Sequence, residues 1–330
     1  MPDARFDVLG IGNAIVDVLA PVDDAFIVEH GVVKGAQHVV DEATAERLYA
    51  AMGQATLVSG GSAGNTTAGI ASFGGRAAFV GKVKDDELGT FFRDDLRRAG
   101  VSFDTTMAGS GPATARSMIL VTPDAQRTMN THLGASWNLA ESDIDPGLAA
   151  DSRVTYLEGF MWDSPYSAPA MMKALDAALA AGRTTALCLA DSFCVERHFD
   201  IFVDLVKDAI DLTFGNEREF TTLFGVETVE QAVEAARRHA RTAILTRGAE
   251  PALVVRGEET WVVPSDVVPE VVDTTGAGDL FAAGFLHGHL AGLPPRQCAK
   301  LGHHAAAEVI AHVGARPRTG LRALAAASPE

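Results

Sequence analysis

Cysteine is scarce in this chain, and the three present offer little chemistry. Cys188, Cys194 and Cys298 have neither metal-type spacing nor an even count, so reduced packing residues are expected, not a disulfide framework or a thiolate metal site. Basic residues are also few: 27 Lys and Arg stand against 43 Asp and Glu, for a formal net charge of -16. A nucleic-acid surface needs basic patches to release counterions, so no such partner is expected and any phosphate must be held locally. No apolar run reaches the ~18 residues that would suggest a membrane span. The start of the chain lacks a basic region followed by an apolar stretch, so a soluble, cytoplasmic protein with no membrane partner is expected. A Gly-x-x-x-x-Gly-Lys-Ser/Thr run is missing too, which argues against a P-loop.

What is present is a large apolar reserve. With 330 residues, 47% hydrophobic and 21% charged, the chain can bury a core slightly beyond the usual size of one domain. Residues 6–11 read as a buried strand, 63–73 as a helix, 77–80 as a strand and 85–98 as an amphipathic helix ended by Gly100. Strands at 154–157, 185–189, 212–214 and 243–245 then alternate with helices at 168–181, 199–209, 217–223 and 229–239. Such alternation predicts an α/β fold with a mostly parallel sheet covered on both faces. Two segments break the pattern. Residues 21–54 are irregular with a helix near 43–52, and 117–122 with 127–131 read as a hairpin turning at Pro123-Asp124. The expected organisation is one domain over 1–330 with a discontinuous lid from about 17–54 and 105–131. An edge pair at 253–256 and 260–263 and helices to about 290 and over 296–312 complete the chain.

Asp273-Thr274-Thr275-Gly276-Ala277-Gly278-Asp279 is the most informative segment. Small residues opening a helix leave backbone N–H groups uncovered, and the helix dipole adds positive charge, so Gly276, Ala277 and Gly278 can receive a phosphoryl group. Asp279 at that opening would repel a bound phosphate unless it takes the proton of a hydroxyl that attacks it. Taken alone, a glycine-eased helix start with an acidic first turn explains the segment equally well.

Other polar clusters stand at predicted strand ends. Gly10-Ile11-Gly12-Asn13-Ala14-Ile15 has the start of a dinucleotide fingerprint but places Ile15 where the third glycine belongs, and no helix follows. Asn13 and Asp17 can grip sugar hydroxyls, or merely cap turns. Gly60-Gly61-Ser62-Ala63-Gly64-Asn65 allows close backbone approach to a ligand, with Gly60, Gly61, Ser62 and Asn65 as contacts, or is a helix start capped by Ser62.

Together, residues 60–65, Gly81-Lys82-Val83-Lys84-Asp85-Asp86-Glu87-Leu88-Gly89, and 273–285 resemble the paired signatures of the ribokinase-like, or PfkB, carbohydrate kinases. The resemblance spans nearly the whole chain. It implies a three-layer α/β/α fold with a small β-rich lid and ATP-dependent phosphorylation of a hydroxymethyl group. It further implies that Asn216 and Glu219, in Asn216-Glu217-Arg218-Glu219, help organise Mg2+ through its waters. Thr246, Arg247 and Gly248 would contact ATP phosphates, and His303 would lie on the adenine side unless it is a packed helix histidine. Asp273 matches a position associated with K+. Within the family, 12–17 and the long segment 23–52 are similar to adenosine kinases, which implies a nucleoside acceptor, a base pocket at Leu133, Phe160 and Phe193, and a monomer in preference to a homodimer. Arg127 is by analogy a closing cation, or else a solvated turn arginine. Ala14, Thr275 and Met161 depart from the adenosine-kinase pattern, and a PfkB sugar kinase acting on ribose or fructose is the alternative.

Overall fold

Residues 4–124 and 126–327 are described by the computed structural model. The strands, in chain order, are β1 Phe6–Ile11, β2 Ile15–Pro21, β3 Gln37–Val39, β4 Thr56–Ser59, β5 Ala77–Val80, β6 Val101–Phe103 and β7 Ala115–Val121. They continue with β8 Arg127–His132, β9 Ser152–Glu158, β10 Thr184–Cys188, β11 Leu212–Asn216, β12 Ala243–Arg247, β13 Glu250–Arg256 and β14 Glu259–Val263. A nine-stranded sheet has the order β14-β13-β12-β11-β10-β9-β1-β5-β6. Its strands from β6 to β12 run parallel, and β13 and β14 extend it antiparallel.

The strand side chains alternate between two apolar layers, as a period of two requires. Val8, Tyr156, Ala186 and Ile244 enter a core with the helices Ser62–Ser72, Ala277–Leu290 and Pro295–Ile310. Leu9, Leu157, Leu187 and Leu245 enter a second core with Ser167–Ala180, Phe199–Asp208 and Val229–His239. The result is the expected three-layer α/β/α arrangement with a smaller sheet. Helices Ser62–Ser72 and Ala277–Leu290 approach so closely that a Cβ on Gly69 would stand 2.6 Å from the Ala283 Cβ. That contact fixes the two glycine-rich helix starts relative to each other.

The smaller sheet has the order β3-β8-β7-β2-β4. β2 follows β1 after only three residues, so no helix succeeds Gly12. Val16, Val18 and Ala20 of β2 belong to the same buried core as Ala45 and Leu48 of the helix Glu42–Ala51, which leaves Ile15 and Asp17 on the other face. The antiparallel hairpin of β7 and β8 forms as expected, with its turn reaching residue 125, outside the described residues. β3, β4 and β6 were not expected, because their three or four residues lack the continuous apolar run that marks β5. Among the described residues no helix is long and apolar enough to cross a membrane.

Candidate active site

The helix Ala277–Leu290 opens on Gly276, whose φ of 79° and N-cap position suit glycine. A Cβ there would come within 2.6 Å of the Ala315 Cβ. Of the expected donors, the Ala277 N–H is already turned onto the Thr274 carbonyl at 3.2 Å. In front of Gly278 the space is open, since an added Cβ would meet no heavy atom within 4 Å. Asp279 in this first turn accepts from Ser62 Oγ at 2.6 Å and from Asn65 Nδ2 at 2.9 Å. Two segments more than 200 residues apart therefore share one carboxylate. Burial pushes its pKa above the ordinary carboxylate value, while the Ser62 and Asn65 donors and the Arg316 cation oppose the rise.

A cavity of about 540 Å³ lies beside this carboxylate, between the carboxyl ends of the main strands and the small sheet. Asn13, Asp17, Gly61, Ser62 and Asn65 line it, and so do Leu133, Phe160 and Phe193. Gly60 instead packs against Asp17, whose Oδ2 would lie 2.4 Å from a Cβ at that position. Asn13 is not a free gripping group: its amide donates to Glu158 Oε1 at 2.8 Å and its carbonyl accepts from Ser136 Oγ at 2.7 Å. Asp17 has no comparable clasp. Burial drives its pKa up to about 7 against the pull of Arg316, and Asp279 and Asp273 push the same way. Phe193 is 59% exposed, with the Arg218 guanidinium 5.6 Å from its ring centroid.

Several residues here carried no motif. Glu158 is buried at the end of β9 and accepts from the Asn13 N–H at 3.3 Å and the Ala63 N–H at 3.0 Å. Burial raises its pKa to about 7 despite those bonds. A carboxylate directly after the predicted buried strand 154–157 was the available signal. Trp137 adds an aromatic wall from the short 3-10 turn Gly134–Asn138, and Arg316 reaches in from a loop after the helix Pro295–Ile310. Among the described residues, Asp163, Cys194 and His198 place metal-type donors within 4.8 Å of one another. Asp163 is, however, already engaged by Arg197 at 2.7 and 2.9 Å and by His198 at 2.7 Å.

At the carboxyl end of β11, Asn216 and Glu219 form a reciprocal capping box. Asn216 Oδ1 accepts from the Glu219 N–H at 3.0 Å, Glu219 Oε2 accepts from the Asn216 N–H at 2.9 Å, and the Asn216 amide donates to Glu219 Oε1. Glu219 is buried, which raises its pKa to about 7. With both oxygens engaged, it suits a Mg2+ held through water better than one held directly. Thr246 and Arg247 end β12 and Gly248 turns the chain at φ 60°, while Arg247 Nε bonds Glu217 at 3.0 Å. His303 is buried, with Nε2 3.1 Å from the Val263 carbonyl and its ring edge-on to Phe281. It joins helix to sheet and offers little surface to an adenine ring, so the packed alternative describes it.

Arg127 of the small sheet spans to the motif loop, 2.5 Å from Asp273 Oδ1 and 3.2 Å from Thr275 Oγ1. It is no solvated turn residue. Asp273 is buried and accepts from the N–H groups of Thr275 at 2.9 Å and Gly314 at 2.7 Å. Burial alone would raise its pKa, but these bonds and Arg127 bring it below the ordinary value. N–H donors and a guanidinium around that carboxylate do not make an oxygen cage, so its side chain does not fit a K+ ligand in this arrangement.

The arrangement also resembles that of solved structures. An adenosine kinase from Sinorhizobium meliloti has 47% sequence identity and a TM-score of 0.91, with 98% of this chain and 99% of that one covered. A probable sugar kinase protein from Rhizobium etli CFN 42 has 42% identity and a TM-score of 0.91, covering 98% of both chains. Adenosine kinase 2 of Arabidopsis thaliana is 25% identical over 332 residues, 93% of this chain and 94% of that protein. Residues 36–319 match the model described as pfkB family carbohydrate kinase, and the chain belongs to that family of phosphotransferases acting on hydroxyl groups.

Proposed function

We propose that the protein transfers the terminal phosphoryl group of ATP to the 5'-hydroxyl of a purine nucleoside, with adenosine the preferred acceptor. The observation that carries this reading is the position of Asp279, bonded to Ser62 and Asn65, two residues of the cavity wall. Leu133, Trp137 and Phe160 line the same cavity, and such apolar and aromatic faces suit a flat base better than a sugar alone. Likeness to an adenosine kinase over 98% of the chain supports the choice.

In this mechanism Asp279 accepts the proton of the 5'-hydroxyl as that oxygen attacks the terminal phosphorus and the bond to the bridging oxygen of ADP breaks. A carboxylate has about four acceptor sites, so Asp279 can keep its bonds to Ser62 and Asn65 while it acts. Asp17 receives the ribose hydroxyls, and Asn13, fixed by Glu158 and Ser136, shapes that end of the cavity. The Gly276 and Gly278 N–H groups face the charge that spreads over the phosphoryl oxygens. Mg2+, when bound with ATP near Asn216 and Glu219, offsets phosphate charge. The small sheet acts as a lid, with Arg127 as its cation toward the reaction centre. Incubation with ATP, Mg2+ and adenosine should give 5'-AMP and ADP in equal amounts by chromatography. ADP formed without a phosphorylated nucleoside would refute the reading.

A further inference from the structure

Three consecutive residues beyond the helix Pro295–Ile310 join the two halves of the site. The Gly314 N–H holds Asp273 Oδ2 at 2.7 Å, and Ala315 fills the space under Gly276. Arg316 turns the other way. Its Nε and Nη2 donate to the Ser59 carbonyl at 2.9 and 2.6 Å, Nη2 also reaches Ser59 Oγ at 3.0 Å, and Nη1 donates to the Gly64 carbonyl at 2.7 Å. Those carbonyls bracket residues 60–63, the stretch that carries Ser62 to Asp279. Ser59 is held from its other side by Asp95 Oδ2, which accepts its N–H at 3.1 Å and its hydroxyl at 2.7 Å.

The guanidinium spends these donors on neutral oxygens, so its charge is not cancelled by contact. Asp95, Asp17 and Asp279 are the carboxylates that act on it from nearby, while burial lowers its own pKa to about 10. A lysine could not reproduce the fork, because a single ammonium cannot span the two carbonyls with the same fixed geometry.

We propose that Arg316 is a positioning residue for phosphoryl transfer: its fork sets residues 60–64 against the helix carrying Asp279, and its uncancelled charge acts on that carboxylate from nearby. This rests on the reading of Asp279 as the base. The other groups that interact with Asp279 are Asp17, Glu158, Tyr156 and Cys188 by charge, and Ser62 and Asn65 by hydrogen bonds.

The test compares wild type, Arg316→Met and Arg316→Lys across pH with the best wild-type acceptor and saturating ATP. Arg316→Met should lower kcat on the order of 10²-fold at neutral pH, the scale expected when a reacting group is displaced by about 1 Å. Its acceptor KM should change much less, and the acid limb of the rate profile should move to higher pH. Arg316→Lys should keep the wild-type limb with a plateau about tenfold lower, since charge survives and the fork does not. A wild-type limb in the Met variant, or a wild-type plateau in the Lys variant, would overturn the proposal. If Arg316→Met loses its ATP-dependent rise in Tm, the Lys plateau alone decides. Wild type inactive toward every hydroxyl acceptor would instead remove the kinase reading on which the proposal stands.

Discussion

The phosphoryl end and the acceptor end of the cleft are built differently. At the phosphoryl end, the segments around Ser62, Asp279 and Arg316 meet through short side-chain bonds over two tightly packed helices. At the acceptor end, Trp137, Phe160 and Phe193 arrive on separate segments after β8, β9 and β10, and Phe193 is more than half exposed. In the proposed reading, reaction chemistry rests on rigid neighbours, whereas recognition rests on walls that can change one at a time. An adenosine kinase and a probable sugar kinase both sharing a TM-score of 0.91 with this chain fit such a division.

If the division holds, damage at the two ends should look different. The largest effect is expected from Asp279→Asn, which should lower kcat by about 10²-fold to 10⁴-fold for every acceptor. The ATP-dependent rise in Tm should persist, and a variant with near-normal turnover would remove Asp279 from the mechanism. Trp137→Ala and Phe160→Ala should each lower kcat/KM for a nucleoside by about tenfold, since a base-stacking contact is worth roughly 1 kcal/mol or more. Use of ribose should be unaffected in the same variants. Equal losses for ribose would show that these rings support the whole site.

The smallest effect concerns Glu158. Burial holds its folded pKa at about 7, above the ordinary glutamate value of 4.5, so the folded state binds its proton more tightly. Its contribution to stability is present below the unfolded value, declines as pH rises and is gone above about 7. The difference in Tm between Glu158→Gln and wild type should therefore move in favour of the variant from pH ~5 to ~8. Parallel melting curves across that range would mean the carboxylate is not held in this environment. The same reasoning applies to catalysis. Burial raises the Asp279 pKa, so turnover should fall on acidification at a pH above the ordinary carboxylate range.

The strands of the main sheet were legible because their residues are apolar in runs, bounded by helices with clear periodicity. Asp279 was legible because its motif is local: small residues, a helix start and a carboxylate lie within one turn. Arg316, Glu158 and Trp137 were not, since each acquires meaning from partners far along the chain, as with Arg316 and Ser59 or Glu158 and Asn13. Asn13 shows the converse. Its residue type suited a sugar contact, yet its side chain is already bonded at both ends. His303 likewise stands in a segment that resembles the family's adenine-side region, but its ring Nε2 lies 3.1 Å from the Val263 carbonyl.

Phosphate transfer from ATP to adenosine, inosine, guanosine, ribose and fructose, measured side by side as kcat/KM with Mg2+ present, tests the assignment most directly. Adenosine should exceed both sugars by at least about 10²-fold, the discrimination expected when an aromatic pocket and the ribose contacts act together. Ribose or fructose turned over as efficiently as adenosine would contradict a nucleoside site and make the protein a sugar kinase.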